Sequence, residues 1–199
     1  DWGAEILKTA DNLIPVLELE SAHHELAMAW RAIVVAHGIG GRYGLMRTAA
    51  ERSTAHARLA GNEWLVERNG AVLSMTALYG ATPVPQAITE CERLIAEGLR
   101  DRAVECGIVC SLAQLKAMIG EFDAARSLYR RGRSTLDDLG RGVFAASQAV
   151  HLATVELHAG DLVNAEREVR AEAIAAATSS VLLSFWVFRG LIAAFLPPL

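Results

Sequence analysis

The sequence is poor in residues that interrupt helices or cross-link a chain. Only five of its 199 residues are proline, and two of these lie next to the C-terminus. The three cysteines are odd in number and too sparse for the disulfide framework of a small secreted domain. Alanine, the strongest helix former, is the most frequent residue. These proportions predict an all-α protein, and the scarcity of cysteine leads us to expect a reducing, cytoplasmic location.

The sequence also lacks a surplus of positive charge. It has 19 lysine and arginine residues against 23 aspartate and glutamate residues, a formal net charge of −4. We therefore expect no nucleic-acid partner and no general attraction to anionic lipid. The densest basic run extends from Arg126 to Arg141, and we interpret it as a solvated helix face because Asp137 and Asp138 lie beside its arginines.

A signal-peptide pattern is missing as well. The sequence begins with Asp1, and acidic residues occur where a signal peptide would carry a basic start and an apolar stretch. We expect the chain to be an excised piece of a longer polypeptide, so that any chemistry of the parent protein lies outside it.

Glycine occurs at regular intervals along the sequence, about every 20 residues. Apolar residues between the glycines recur at steps of three and four, as Val104, Ile108 and Leu112 do, which is typical of one helical face. Every second glycine defines a period of about 40 residues, so the repeating unit is a pair of helices. The regularly spaced glycines are Gly41, Gly61, Gly80, Gly98, Gly120, Gly140 and Gly160.

The two clearest units align with each other around their central glycines. Small residues at matching positions would let two helix backbones approach, and a larger apolar residue would fill the space beside them. The matching positions around Gly120 are Leu112, Ala113, Ala125 and Tyr129, and those around Gly160 are Leu152, Ala153, Ala165 and Val169.

These offsets resemble the tetratricopeptide repeat, with helices somewhat longer than in its standard unit. Several stretches are similar to the repeat region of bacterial multidomain ATPases, in which an adenylate or guanylate cyclase domain often precedes an AAA-like ATPase. The stretches are 27–31, 80–91, 120–126 and 160–166. The resemblance implies a right-handed solenoid of antiparallel helix pairs and a cytoplasmic signalling ATPase as the parent protein.

The sequence divides into a repeat domain, residues 1–178, and an apolar C-terminal segment, residues 179–199. The run from Val181 to Leu196 is shorter than a typical membrane span and contains Arg189 near its middle. We interpret it foremost as a buried capping helix. A membrane helix, a truncated end and a surface for self-association remain alternatives.

Residue groups that suggest chemistry are each explained more simply by structure. The cluster Gly38 to Gly44 lacks the spacing of a phosphate-binding loop, and we interpret it as a hinge between helices. Cys91, Cys106 and Cys110 are predicted to be buried packing residues rather than a metal site. None of the six histidines has a partner at a spacing typical of a helical metal site. We therefore expect no catalytic, cofactor-binding or metal-binding residues and no enzyme activity in this chain.

The remaining function class is partner binding. We expect a protein- or peptide-binding regulatory module of a larger signalling protein, with a small-molecule sensor that binds an effector in the superhelical groove as the alternative. The helices predicted to line the concave side are 27–36, 63–78, 104–118 and 143–158. Polar residues on that side are the predicted partner contacts: Arg31, Ser74, Gln114 and Thr154.

Overall fold

The computed structural model describes residues 2–140 and 149–170, and both ranges are helical with short turns between helices. No strand occurs in either range, which confirms the prediction of an all-α chain for the described residues. The helices are α1 (Trp2–Leu19), α2 (His23–Ile39), α3 (Tyr43–Leu59), α4 (Glu63–Tyr79), α5 (Val84–Ala96), α6 (Arg102–Met118), α7 (Phe122–Asp138), α8 (Ala149–His158) and α9 (162–170).

Two predictions fall wholly or partly on other residues. The apolar run from Val181 to Leu196 lies outside the described residues, and so do residues 143–148 of the last predicted concave helix. Within the two described ranges, no helix is both long enough and apolar enough to cross a lipid bilayer.

The predicted turn glycines lie just after the ends of helices. Six of the seven have a positive φ, between 64° and 84°, a backbone region in which a side chain is strained. Gly80 is the exception, because its φ is −90°. A Cβ atom on Gly80 would lie only 2.4 Å from the backbone carbonyl oxygen of Thr76, so this turn needs glycine for space rather than for φ.

Polar side chains fix the starts of α4 and α6. The Asn62 side chain accepts a hydrogen bond from the backbone N–H of Leu65 at 3.1 Å, which caps α4. The Asp101 side chain accepts from two N–H groups of the first turn of α6 in the same way. The Glu67 carboxylate of α4 accepts hydrogen bonds from the backbone N–H groups of Arg100 and Asp101, at 3.0 and 3.1 Å. These bonds hold α4 against the loop that leads into α6.

The order of contacts between helices is simple. In the described part of the chain, the substantial contacts join helices that are one or two positions apart in sequence. The contacts between helices two positions apart join α4 to α6 and α6 to α8. We refer to α2, α4, α6 and α8 as the even helices, and they contain the first three segments predicted to face a partner and residues 149–158 of the fourth.

Most of the residues that align around Gly120 and Gly160 are buried, as the predicted register requires. Ala125 and Tyr129 of α7 are buried against Ala113 of α6 and Val155 of α8. The corresponding alanines of the next unit, Ala153 and Ala165, are also buried. Val169 differs from Tyr129, its counterpart, because it is 49% exposed among the described residues.

Candidate binding surface

The four predicted contact residues lie on the four even helices, one on each. Ser74 is fully buried and Gln114 is only 4% exposed, so neither side chain presents a surface to a partner in this structure. Arg31 and Thr154 are half-buried. Burial of the first two could not be foreseen, because the sequence shows that a polar residue lies on a helix face but not whether a neighbouring helix covers it.

Three of these residues connect each even helix to the next. The Arg31 guanidinium donates to the side-chain oxygen of Asn69 at 3.3 Å, which joins α2 to α4. The Ser74 and Ser111 hydroxyl oxygens are 3.3 Å apart and join α4 to α6. The paired residues of the three links are 38, 37 and 37 positions apart in sequence.

The third link joins α6 to α8. The Gln114 side-chain amide donates to Nδ1 of His151. Burial lowers the pKa of His151, which keeps its ring neutral and its Nδ1 able to accept this hydrogen bond. Three of the residues predicted to touch a partner therefore form links between the even helices.

A buried polar network positions Arg31. Asn69, which is fully buried in the middle of α4, donates from its side-chain nitrogen to the Ser53 hydroxyl at 2.9 Å. Ser53 donates in turn to the backbone carbonyl of Ala27 at 2.8 Å. The network thus joins α2, α3 and α4, and the remaining Asn69 oxygen accepts from Arg31. Such a network restricts the position of the guanidinium.

The electrostatic environment of Arg31 is unusual for a half-buried cation. No carboxylate of the described residues lies within 4 Å of its guanidinium. Burial lowers the pKa of Arg31, and the positive charge of Arg68 lowers it further. Arg68 itself is 3.6 Å from the Asp101 carboxylate, so its charge is partly compensated.

Exposed apolar side chains lie near Arg31 on its own helix face and beside Arg68 on α4. Met28 and Val35 are three residues before and four residues after Arg31, on the same face of α2, and are 47% and 40% exposed. On α4, Trp64 is 57% exposed, and the Arg68 guanidinium lies 4.8 Å from the centre of its ring. We define the even-helix surface by these five residues.

Sequence reasoning singled out Arg31 but missed the other four residues of the even-helix surface, and also Asn69, which bonds to Arg31. Asn69 is a poor helix former in the middle of a helix, which is a signal that its side chain has a specific partner. Trp64 and Arg68 are four residues apart, a spacing that brings a cation over an aromatic ring on a helix. Neither signal, taken alone, places these residues next to Arg31.

The arginines of the basic run are largely used in ion pairs with neighbouring helices. Arg126 contacts Glu156 of α8, Arg131 contacts Glu105 of α6, and Arg133 contacts Glu168 of α9. Arg141 lies outside the described residues.

The cysteines are free thiols buried in separate clusters. Cys91 packs in the cluster between α5 and α6, Cys110 packs beside Tyr129, and Cys106 packs beside Leu136. Burial raises the pKa of Cys91 and of Cys110 to about 12, and it also raises the pKa of Cys106.

We expect all three thiols to be unreactive toward a water-soluble disulfide reagent at pH 8 in the folded chain, and to react fully after denaturation. Because the folded chain keeps these protons at pH values where the unfolded chain releases them, stability should fall as the pH rises from about 9 toward 12. The measurement is the release of the coloured thiol product with and without denaturant. Rapid reaction of one thiol in the native chain would contradict the burial seen here.

Comparison with known proteins gives the surface no assigned role. A scan against models of known protein families found no match to this chain, and a search of curated proteins also found none.

Proposed function

We propose that this chain is a helical repeat module of the tetratricopeptide type that binds a segment of a partner protein on its even-helix surface. The order of the helix contacts supports stacked helix pairs, as does the 37- or 38-residue spacing of the links between even helices. A stack of this kind would align the outer faces of the even helices in one continuous surface.

The observation that carries the proposal is the set of exposed apolar side chains on α2 and α4, two of which share a helix face with Arg31. Met28, Val35 and Trp64 leave much of their side chains in solvent, although the two helices that carry them bury an extensive core. Apolar side chains exposed together on a helix face are typical of interaction surfaces on proteins. Tryptophan and methionine are also enriched in protein interfaces, and tryptophan is among the residues that contribute most to binding.

The experiment selects ligands from a library of short random peptides displayed on phage, with the purified chain as the target. We expect related sequences to be enriched over several rounds and to compete with one another for the chain. The absence of enrichment above that on an unrelated control protein would contradict the proposed function.

Two tryptophan variants locate the binding surface. Trp64→Gln should weaken binding of the selected peptides by about tenfold, because a large exposed ring in a binding centre contributes strongly to affinity. Trp2→Gln is the matched control, since Trp2 is also exposed but lies on α1. Equal affinities for the two variants would exclude the even-helix surface as the site.

The sequence resemblance is the basis for proposing a larger parent protein. Within a signalling ATPase or nucleotide cyclase, occupancy of this surface would regulate the distant catalytic domain. The chain itself contributes recognition and no catalysis.

A small-molecule sensor is the second candidate, favoured by an open groove of about 370 Å³ between α1 and α2. Its walls are mainly apolar and include Trp2, Ile6, Leu13 and Ala32. A small apolar metabolite that raises the melting temperature of the native chain, but not that of Ala32→Phe, would favour the sensor over the peptide-binding module.

A further inference from the structure

Arg31 has donors that the protein leaves unused. A guanidinium carries five N–H donors. Among the described residues, only the side-chain oxygen of Asn69 accepts a hydrogen bond from Arg31. Placing a charge in a partly buried site without a counter-ion costs free energy. An external anion that reached Arg31 would offset this cost.

A second arginine faces the same region. Arg68 follows Trp64 by one helical turn, and its positive charge acts on Arg31. Its buried Nε atom has no hydrogen-bond partner in the described part of the chain, and its contact with Asp101 is long, at 3.6 Å. Neither guanidinium has a carboxylate of the described residues closer than 3.6 Å, so both retain capacity to bind an anion.

We propose that Arg31, with Arg68 beside it, binds a carboxylate of the partner segment on the even-helix surface. This inference rests on the proposed peptide-binding function and specifies the chemistry of its ligand. A carboxylate accepts two parallel N–H bonds from one guanidinium, which Arg31 can donate while it keeps its bond to Asn69. The partner segment would therefore carry apolar residues next to the recognised carboxylate, which belongs to an acidic side chain or to a free C-terminus.

The apolar neighbours distinguish this ligand from a free inorganic anion. Met28 and Val35 lie on the same face of α2 as Arg31, and Trp64 lies on α4 beside Arg68. Apolar side chains of a bound peptide would cover these residues and exclude water from the ion pair, which strengthens it. A small anion would gain only the charge contact, which solvent screens.

The test uses the peptide that the full chain selects most strongly from the random library. We compare its affinity by fluorescence anisotropy with that of a version in which each acidic residue is replaced by its amide, and with a C-terminally amidated version. A loss of about tenfold or more in one of these two versions is expected. The version that loses affinity shows whether the carboxylate comes from a side chain or from the C-terminus.

Arg31→Gln should weaken the unmodified peptide by about tenfold, while binding of the version that lacks the recognised carboxylate should change little. The glutamine side chain is polar but two bonds shorter than arginine, so circular dichroism melting checks that the variant folds without the bond to Asn69. Arg31→Lys, which keeps the charge but loses the planar fork, should fall between the two. Arg58→Gln is the control, since its side chain is exposed on α3 and forms no ion pair with the described residues.

The outcomes separate this inference from the proposed function. If the library yields no ligand, the proposed function fails and the inference fails with it. If it yields peptides whose affinity depends neither on a carboxylate nor on Arg31, the binding function stands and only the inference is overturned.

Discussion

Replacing Tyr129 with alanine is expected to lower the free energy of unfolding by about 3–5 kcal/mol. Tyr129 is among the largest fully buried side chains, and it packs from α7 against Cys110 and Ala113 of α6 and Val155 of α8. Truncation would leave a cavity at a point where three helices meet. Urea denaturation followed by circular dichroism measures the loss, and the denaturant midpoint should fall without a large change in the slope.

The phenylalanine variant separates packing from hydrogen bonding. The Tyr129 hydroxyl is buried, and no described residue meets it with good hydrogen-bond geometry, although the positive charge of Arg133 acts on it. Burial raises the pKa of Tyr129, so the hydroxyl stays neutral. Tyr129→Phe removes an unsatisfied polar group and should leave stability unchanged or raise it. A loss as large as that of Tyr129→Ala would show that the hydroxyl, and not the ring, stabilises this core.

Turns were the most predictable part of the structure. Glycine is almost the only residue that adopts a positive φ without strain, so a regular series of glycines marks regular chain reversals directly in the sequence. Gly41, Gly120 and Gly160 illustrate this, since each follows a helix and has a positive φ. Gly80 shows that the same residue occurs for a second reason, the approach of a backbone carbonyl, which a sequence cannot distinguish from the first.

The surroundings of the predicted contact residues were much less predictable. The sequence pattern places Arg31, Ser74 and Gln114 at positions typical of surface residues on their own helices. Each side chain nevertheless forms a hydrogen bond with the next even helix. Whether a polar side chain faces solvent or a helix about 37 residues away depends on the packing angle between helices. Sequence periodicity defines the face of one helix and contains no information on that angle.

Burial of Gln114 also changes how partner binding must be tested. A substitution at this position would remove the hydrogen bond to His151 and loosen α8 against α6. Weaker binding by such a variant would not distinguish a lost contact from a shifted helix. Arg31 is the better probe, because its guanidinium keeps donors that the described residues do not use.

The links between helices follow two chemistries. Even helices are joined by hydrogen bonds, as between Ser74 and Ser111. Two pairs of odd helices are joined by ion pairs, between Arg47 of α3 and Glu90 of α5 at 2.9 Å and between Arg133 of α7 and Glu168 of α9 at 4.0 Å. The charges of these two arginines are therefore compensated by a neighbouring helix, whereas Arg31 is a half-buried cation that forms no ion pair with the described residues.

Replacing Arg126 with methionine is expected to lower the free energy of unfolding by about 2–3 kcal/mol. Two N–H groups of Arg126 donate to the two carboxylate oxygens of Glu156, at 2.9 and 2.6 Å, and join α7 to α8. The hydrogen bonds to Glu156 raise the pKa of Arg126. Glu156 is buried, so loss of its partner would leave an uncompensated carboxylate in the interior. Because Arg126 is itself partly exposed, we expect less than the full cost of breaking a buried pair.

A second substitution should recover part of this loss. In Arg126→Met combined with Glu156→Gln, no charge is left buried, so the double variant should be more stable than Arg126→Met alone by about 1 kcal/mol or more. Arg130→Met is the matched control on α7, since the Arg130 side chain is exposed and, within 2–140 and 149–170, bonds only to the carbonyl of Arg126. Urea denaturation of the four chains measures each difference. A double variant less stable than Arg126→Met would mean that solvent reaches Glu156 once the arginine is gone, and that packing rather than charge joins α7 to α8.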